Sequence, residues 1–305
     1  MADGRFAPTP SGDLHVGNLR TAMLAWLFAR SAGSRVHLRI DDLVPGGVRP
    51  GAADRQIADL AALGLDWDGP VTHQHDHPAR YHAAIARLED AGLTYPCFCT
   101  RREILEAVTA PHGPAPEGAY PGTCRDLSAR EQADRAASGR PPALRLRSTG
   151  EPVTVTDRRH GAVTAVVDDL VLRRGDGIAA YNLAVVVDDA AEGVAEVVRA
   201  DDLLLSSPRQ AYLARLLGGP EPIYAHVPLV LGPDGARLAK RDGAVTLADR
   251  AGRGESADDV RSLLATSLGL AEPGEPVSMA TVLDRFDPDR LPSDPWVLGR
   301  AWLGG

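Results

Sequence analysis

The feature that most constrains this chain is a short stretch near its N-terminus that has the pattern of a strand, a turn and a helix. Residues 5–7 resemble the end of a short strand, residues 8–12 contain two prolines, a serine and a glycine that require a turn, and a helix is predicted from about Gly17. Such a turn directs backbone N–H groups and the positive end of the helix at whatever lies above it, which favours phosphate. His15 and Asn18 lie on this turn, where both can donate hydrogen bonds. The same arrangement is common in α/β proteins, so alone it does not establish a nucleotide site.

A second short segment, far downstream, contains the only lysine among the 33 basic residues of the chain. This residue lies in the segment Arg237-Leu238-Ala239-Lys240-Arg241, which follows a Gly-Pro-Asp-Gly turn. In a chain that otherwise uses arginine, a single lysine indicates a position where a compact, flexible ammonium is needed. We predict a mobile loop whose Lys240 closes on a triphosphate and stabilises the charge that builds on pyrophosphate. The alternative is a lysine retained by chance on a solvated loop.

Together, the two segments resemble the signature motifs of the class I aminoacyl-tRNA synthetases. The first motif is matched by His15-Val16-Gly17-Asn18 and the second by Arg237–Arg241. Four further segments are similar to the glutamyl branch of that class, namely residues 5–12, 38–43, 180–189 and 198–203. The resemblance extends over residues 4–247. The resemblance implies an α/β class I synthetase nucleotide-binding fold, Rossmann-like, with a doubly wound parallel sheet.

The resemblance also implies the chemistry. An enzyme of this family uses ATP with Mg²⁺ to convert an amino acid to its adenylate. The resemblance assigns ATP binding to His15, Gly17, Asn18 and Lys240. It also implies that His15, Asn18 and Lys240 are the catalytic residues.

The amino-acid pocket can be carried over from the same resemblance. Asp41 would face the amino group, and Arg199 would supply the cation for a side-chain carboxylate, with a bidentate guanidinium there and Arg5 on the other side selecting an acid over an amide. The full set implied for glutamate is Arg5, Phe6, Ala7, Pro8, Thr9, Asp41, Tyr181 and Arg199. Three positions depart from the glutamyl pattern, which usually has Glu, Asp and Arg where this chain has Asp41, Val44 and Gly47. These departures leave the amino-acid specificity open.

The three cysteines, Cys97, Cys99 and Cys124, lie close together in the sequence. Their spacing fits either a zinc site or three small apolar side chains in a reduced protein. Two close cysteines followed by Tyr-x-x-x-Cys resemble the zinc site of one subfamily, the glutamyl-Q tRNA(Asp) synthetases, and Tyr120-Pro121-Gly122-Thr123-Cys124 matches its second half. The resemblance implies one structural Zn²⁺ held by Cys97, Cys99, Tyr120 and Cys124. A longer intervening loop also brings His112, so the fourth ligand is open between Tyr120 and His112.

The predicted organisation has four parts. Residues 1–94 form the first half of the catalytic domain, 95–178 an inserted α+β zinc-bearing module that meets the acceptor, 179–247 the second half, and 248–305 a short helical tail. We expect no anticodon-binding domain, because the tail is too short for one. Within the second half, residues 181–187 are predicted as a buried parallel strand closed by Asp188 and Asp189, and residues 224–231 as the last core strand.

Composition and charge limit the remaining possibilities. The net charge of −8 argues against a generally basic surface for nucleic acid. An odd number of cysteines suits a reducing compartment, and neither an apolar leader nor a membrane-spanning run is present, so we expect a cytoplasmic protein with no membrane partner. We also expect a monomer.

The alternating His73, His75 and His77 could suggest a metal-binding strand. Their polar neighbours favour a loop that enters the next helix.

These observations together predict an enzyme similar to a truncated glutamyl-tRNA synthetase. It would form glutamyl-adenylate from ATP and L-glutamate and transfer the glutamate to the queuosine base of tRNA(Asp). Two alternatives stay open. One is a ligase of the same fold that passes an activated amino acid to a small amine or carrier, and the other is a non-catalytic tRNA-binding paralogue.

Overall fold

The computed structural model describes residues 2–104, 120–238, 245–299 and Trp302. Two of the predicted site residues, His112 and Lys240, lie outside the described residues. The described chain alternates strands and helices through most of its length.

The first part of the chain forms three parallel strands with helices between them, in the order β1-β2-β3. Helix α1 begins within one residue of the predicted start, and the glycines after α1 and α2, at positions 33 and 64, adopt the left-handed backbone that ends a helix. The elements are β1 (Gly4–Phe6), α1 (Val16–Ser31), β2 (Val36–Ile40), α2 (Ala52–Ala62), β3 (Thr72–His73) and α3 (Pro78–Asp90).

The middle of the chain contributes a separate antiparallel sheet and a hairpin. The separate sheet has the order β4-β5-β8, and the hairpin is formed by β6 and β7. Although the hairpin belongs to the predicted insertion, β6 pairs in parallel with a strand of the catalytic half, at Asp157 and Tyr224. The elements are β4 (Thr94–Cys97), α4 (Ala129–Ala136), β5 (Ala143–Leu146), β6 (Pro152–Asp157), β7 (Gly161–Val166) and β8 (Val171–Arg173).

The last part completes the parallel sheet and adds the tail. Backbone contacts between Asp3 and residues 194–196 place β1 beside β9, so the strands follow one another in the order β3-β2-β1-β9-β10-β6-β7. Only β7 runs against the others. The elements are α5 (Tyr181–Glu192), β9 (Glu196–Ala200), α6 (Ser207–Leu216), β10 (Ile223–Val227), β11 (Val230–Leu231), α7 (Leu247–Ala251), α8 (Ala257–Ser267), α9 (Met279–Asp284) and β12 (Trp296–Val297). The predicted doubly wound class I architecture is confirmed.

The core lies on both faces of this sheet. Helix α1 is buried along nearly its whole length, because the sheet covers one side of it and the tail helices α8 and α9 cover the other. On that side the rings of Phe28 and Phe286 meet edge to face at 5.3 Å. The tail therefore packs on the helix that carries the first motif. No helix in the described ranges combines the length and the apolarity that crossing a bilayer requires.

Two sequence-based predictions about elements are wrong. Residues 181–187 are not a strand but the first two turns of α5, which continues to Glu192 and ends at Gly193 with a positive φ of 72°. An apolar run of this length fits either a buried strand or a buried helix, and packing against α3 and α6 decides for the helix despite three consecutive valines. Asp188 and Asp189 consequently lie inside a helix, where they face buried partners.

The predicted single strand over residues 224–231 is two strands. Pro228 lies between β10 and β11, and proline has no backbone N–H to continue a ladder. The interruption lets β10 pair with β9 while β11 pairs with β12 near the C-terminus. The break therefore connects the catalytic sheet to the tail.

Candidate active site

His15 caps α1 and is held by it in return. Its Nδ1 accepts hydrogen bonds from the backbone N–H groups of Gly17 (3.1 Å) and Asn18 (3.2 Å), and the Asn18 side chain accepts one from the His15 backbone (3.3 Å). Because Nδ1 is the acceptor, the proton of the neutral ring is on Nε2. This arrangement makes Nε2 the hydrogen-bond donor of His15.

The first-turn amides of α1 are not open to a ligand, contrary to the sequence-based expectation. Those of Gly17 and Asn18 are taken by His15, Leu19 donates to the His15 carbonyl (3.1 Å), and Val16 donates to the carbonyl of Val245 (2.8 Å). A phosphate above this turn would therefore meet the imidazole of His15 rather than the peptide N–H groups.

Gly17 is required at its position by close packing. A Cβ built there would lie 3.0 Å from both Cε1 and Nδ1 of His15 and 3.3 Å from Cβ of Val230. Any larger residue would displace the imidazole from its cap. The glycine of the first motif thus sets the orientation of the histidine.

The residues that flank the second motif are anchored beside the first. Leu238 and Val245 are both buried in the core that holds Leu14 and Val16. Thr246, which follows, forms an antiparallel bridge with His15. The described residues on both sides of Lys240 therefore belong to the neighbourhood of the α1 cap.

A group of buried charges lies at the ends of β1, β2 and α5. Asp189 accepts hydrogen bonds from Arg5 (3.3 Å) and Arg39 (2.7 Å), and Arg39 also binds Asp41 (2.8 Å) and Glu192 (2.9 Å). Burial alone would raise the pKa of Asp189, but the two guanidinium groups hold it below its usual value. This network fixes Arg5 and Asp41 on one wall of the site.

Asp41 is nearly buried, at 8% exposure. Burial raises its pKa to about 6, because the loss of hydration outweighs the attraction of Arg39 and Arg5. Its backbone N–H donates to the carbonyl of Pro8 (2.9 Å), which ties it to the segment after β1. The carboxylate is ionised at neutral pH and is suited to hold an ammonium group.

Arg199, on β9, is fully embedded in hydrogen bonds. Its acceptors are His226 Nε2 (2.9 Å), Gln210 Oε1 (2.7 Å), Ser207 Oγ (2.8 Å) and the carbonyl of Leu203 (3.2 Å). A guanidinium has five N–H donors, so the described residues engage four of them and leave one on Nη1. The bidentate contact predicted for Arg199 does not fit this arrangement.

Arg5 has more donors to offer. It uses Nε for Asp189 and one hydrogen of Nη1 for the carbonyl of Val198 (3.5 Å). Within the described part of the chain, its Nη2 makes no hydrogen bond. Burial lowers the pKa of Arg199, and the neighbouring charge of Arg5 adds to this effect. The carbonyl that accepts from Nη1 of Arg5 belongs to Val198, the residue before Arg199 on β9.

The remaining predicted pocket residues surround these charges. Tyr181 begins α5 and is 47% exposed. Pro8 is buried, whereas Thr9 is exposed and its carbonyl accepts a hydrogen bond from Gln56 (3.1 Å). Phe6 and Ala7 are half-buried. Val44 and Gly47, two of the departures from the glutamyl pattern, lie on the exposed segment after Asp41.

The three cysteines and Tyr120 converge. The Tyr120 hydroxyl lies 3.3 Å from Cys97 Sγ and 3.6 Å from Cys99 Sγ, and the sulfurs of Cys99 and Cys124 are 3.5 Å apart. Ligands of a tetrahedral zinc with Zn–S bonds of about 2.3 Å are separated by roughly 3.8 Å, so this donor set fits zinc. The phenol hydroxyl lies beside two of the three sulfurs and accepts a hydrogen bond from the backbone N–H of Cys124 (2.9 Å).

Sequence reasoning missed several residues of the site. It placed Asp189 at the end of a strand and gave no role to Arg39, although both organise the buried charges. It also missed His226, which is fully buried between Arg199 and Asp157. The available signal was a histidine within an otherwise apolar strand.

Both the sequence and the fold of this chain match known proteins. The family described as "tRNA synthetases class I (E and Q), catalytic domain" matches residues 2–274. A glutamyl-Q tRNA(Asp) synthetase of Nocardia farcinica is 63% identical over 97% of this chain and 92% of its own length, and one of Symbiobacterium thermophilum is 48% identical over 97% and 95%. A glutamate tRNA ligase of Elizabethkingia meningosepticum, solved with its amino acid, superposes with a TM-score of 0.83 at 24% identity, over 99% of this chain and 68% of that one.

The solved structure supports the fold, and the sequence relatives support the family. Their alignments span 97% of the chain. The chain belongs to the class I tRNA synthetase (E and Q) catalytic-domain family, in its glutamyl-Q tRNA(Asp) synthetase branch.

Proposed function

We propose that this enzyme activates L-glutamate with ATP and transfers it to the queuosine base of tRNA(Asp). The observation that carries the proposal is the linked placement of Asp41, Arg5 and Arg199. Asp189 joins Arg5 to Arg39, Arg39 binds Asp41, and Arg5 reaches the carbonyl of the residue before Arg199. An ionised aspartate and two guanidinium groups match the ammonium and the carboxylate of an acidic amino acid. The names of the relatives support the acceptor.

The first step joins the amino acid to AMP. A carboxylate oxygen of glutamate attacks the α-phosphorus of ATP, and the bond to the leaving pyrophosphate breaks. His15 donates from Nε2 to the phosphates, and Lys240 neutralises the charge that develops on pyrophosphate. Mg²⁺ bound with ATP would add to that neutralisation. The residues act by positioning and electrostatics, and no covalent intermediate with the enzyme is needed.

The two arginines, Arg5 and Arg199, offer different numbers of N–H donors to a carboxylate of glutamate. Arg5, with three N–H donors not engaged by the described part of the chain, is the main partner of a substrate carboxylate, and Arg199 adds one donor and its charge. An amide at the same place would put its NH₂ group against these donors. The second step then moves the glutamyl group from the adenylate to a nucleophile of the queuosine base and releases AMP.

We assign one structural zinc to Cys97, Cys99, Tyr120 and Cys124. When bound, the metal ties β4 to the segment after residue 119, and with four protein ligands it has no position for a substrate. The reduced cysteines suit the cytoplasm, and we propose that the enzyme works there as a monomer on ATP, L-glutamate and tRNA(Asp).

Amino-acid-dependent exchange of pyrophosphate into ATP tests the first step. Exchange with glutamate alone among the standard amino acids supports the proposal. Exchange with a different amino acid would indicate a pocket changed at Asp41, Val44 and Gly47, and would favour the specialised ligase. No exchange, with or without tRNA, would indicate a paralogue that only binds RNA.

A further inference from the structure

A second group of potential metal ligands lies outside the cysteine group. Asp42 follows β2, His73 ends β3, and His75 lies in the short 3₁₀ turn that follows. The Nδ1 atoms of both histidines lie 2.7 Å from the same oxygen of Asp42, Oδ2. All three ligand atoms lie within 4.8 Å of one another. His77, the third histidine of the alternating sequence, is not in the group.

A neutral His75 ring cannot satisfy both of its contacts, because each ring nitrogen faces a carboxylate oxygen. Its Nδ1 faces Asp42, and its Nε2 lies 3.3 Å from a carboxylate oxygen of Asp76. A neutral imidazole carries one N–H, so one of its nitrogen lone pairs would face a carboxylate oxygen. Either a second proton or a metal ion at Nδ1 removes that repulsion.

The charges of the group favour a cation. Asp42 is largely buried, with 8% of its side chain exposed, and in the described ranges no arginine lies within ion-pair distance of it. Its neighbour Asp41, by contrast, is paired with Arg39. One carboxylate and two imidazole nitrogens therefore converge at Asp42 Oδ2, and Asp76 adds a second negative charge on the Nε2 side of His75.

We propose that Asp42, His73 and His75 bind a late first-row divalent cation, of the class of Zn²⁺ or Ni²⁺. Imidazole nitrogens with one carboxylate suit these ions, and three protein ligands leave a position that is open because His75 is 60% exposed. With Nδ1 on the metal, Nε2 of His75 keeps its proton and donates it to Asp76, which orients the ring. In the sequence, the polar neighbours of the histidines favour a loop here, and the pattern does not bring in Asp42, which follows a different strand, β2.

Cobalt binding to the full-length protein separates this site from the cysteine group. Thiolate ligands give cobalt an intense near-ultraviolet charge-transfer band, whereas histidine and carboxylate ligands do not. We therefore measure total bound Co²⁺ by equilibrium dialysis with elemental analysis and sulfur-bound Co²⁺ by absorption. The wild type is expected to bind one Co²⁺ more per chain than the sulfur band accounts for.

Variants assign the additional ion. His73→Gln and His75→Gln should weaken its binding more than tenfold while keeping the sulfur band, and His82→Gln, an exposed histidine on α3, should bind as the wild type does. Asp76→Asn removes no ligand and should weaken binding by about ten- to a hundredfold. If the sulfur band accounts for all cobalt in the wild type, or if His73→Gln and His75→Gln keep the additional ion, the proposal is wrong and His75 is held by a second proton.

Discussion

The Nε2 atom of His226 accepts a hydrogen bond of 2.9 Å from Nε of Arg199. Only an imidazole with its proton on Nδ1 can do so, and that proton is donated to Asp157 at 2.6 Å. Burial lowers the pKa of His226, and hydrogen bonds from His226 and from two backbone amides bring the pKa of Asp157 to about 2. Asp157 thus fixes the tautomer of His226, and His226 fixes the orientation of Arg199.

His226→Asn should therefore weaken glutamate binding. Losing the acceptor for a buried guanidinium costs about 1.5–3 kcal/mol, so the KM for glutamate in pyrophosphate exchange should rise by roughly ten- to a hundredfold with little change in kcat. His160→Gln serves as the control. His160 lies in the turn of the β6–β7 hairpin, close to Asp157, and it pairs with Asp201. An unchanged KM in a folded His226→Asn protein would contradict the positioning role.

The pKa of Asp41 predicts the pH dependence of glutamate binding. Only the ionised carboxylate attracts the ammonium group, so the KM for glutamate should fall as the pH rises through about 6. Asp41→Asn should have a higher KM that does not change over this range. The effect on stability has the opposite sign to the effect on binding. Because the pKa of Asp41 is raised in the folded state, its contribution to the free energy of unfolding is lost as the pH rises through about 6. A KM that stays constant in the wild type would contradict the assignment of Asp41.

Gly17→Ala should impair adenylate formation without unfolding the protein. The added methyl group would displace the ring of His15, so we expect kcat to fall by at least about tenfold, the effect of losing a positioned hydrogen-bond donor. Gly46→Ala is the matched control, because a Cβ there meets nothing within 4 Å. Equal rates for the two variants would show that the orientation of His15 does not matter.

Lys240 can be tested by substitution although it lies outside the described residues. If its ammonium stabilises pyrophosphate in the transition state, Lys240→Ala should lower kcat far more than it raises the KM for glutamate. Lys240→Arg should restore only part of the rate, because a planar guanidinium does not replace a compact ammonium. Equal effects on kcat and on glutamate affinity would contradict this role.

The fourth zinc ligand can be identified by metal content and stability. Cys124→Ser should lose zinc and lower the melting temperature. Tyr120→Phe should weaken zinc binding, because its hydroxyl lies between the sulfurs, whereas His112→Gln should not. The opposite result for the last two variants would assign the fourth position to His112.

The sequence predicts the order of elements well where local signals agree. The strand, turn and helix at residues 4–31 were predictable because the turn residues and the apolar helical pattern indicate the same structure. Residues 181–187 were not, since their valines favour a strand locally while burial between two helices requires a helix. Tertiary packing determined that element.

The site was predictable by residue but not by contact. Arg5, Asp41 and Arg199 could be named from the resemblance, whereas the pairing of Arg5 with Asp189 and of Arg199 with His226 joins residues far apart in the chain. Among the first-turn amides of α1, that of Val16 is also taken by a residue far along the chain, Val245. Such pairings follow from the sheet order, which no single segment contains.

The most direct test of the central claim is transfer of labelled glutamate to tRNA. The account predicts that, with ATP and Mg²⁺, the enzyme labels tRNA(Asp) that carries queuosine and does not label the same tRNA made without it. Labelling of tRNA(Glu), or no labelling of queuosine-containing tRNA(Asp) by an enzyme that forms glutamyl-adenylate, would contradict it.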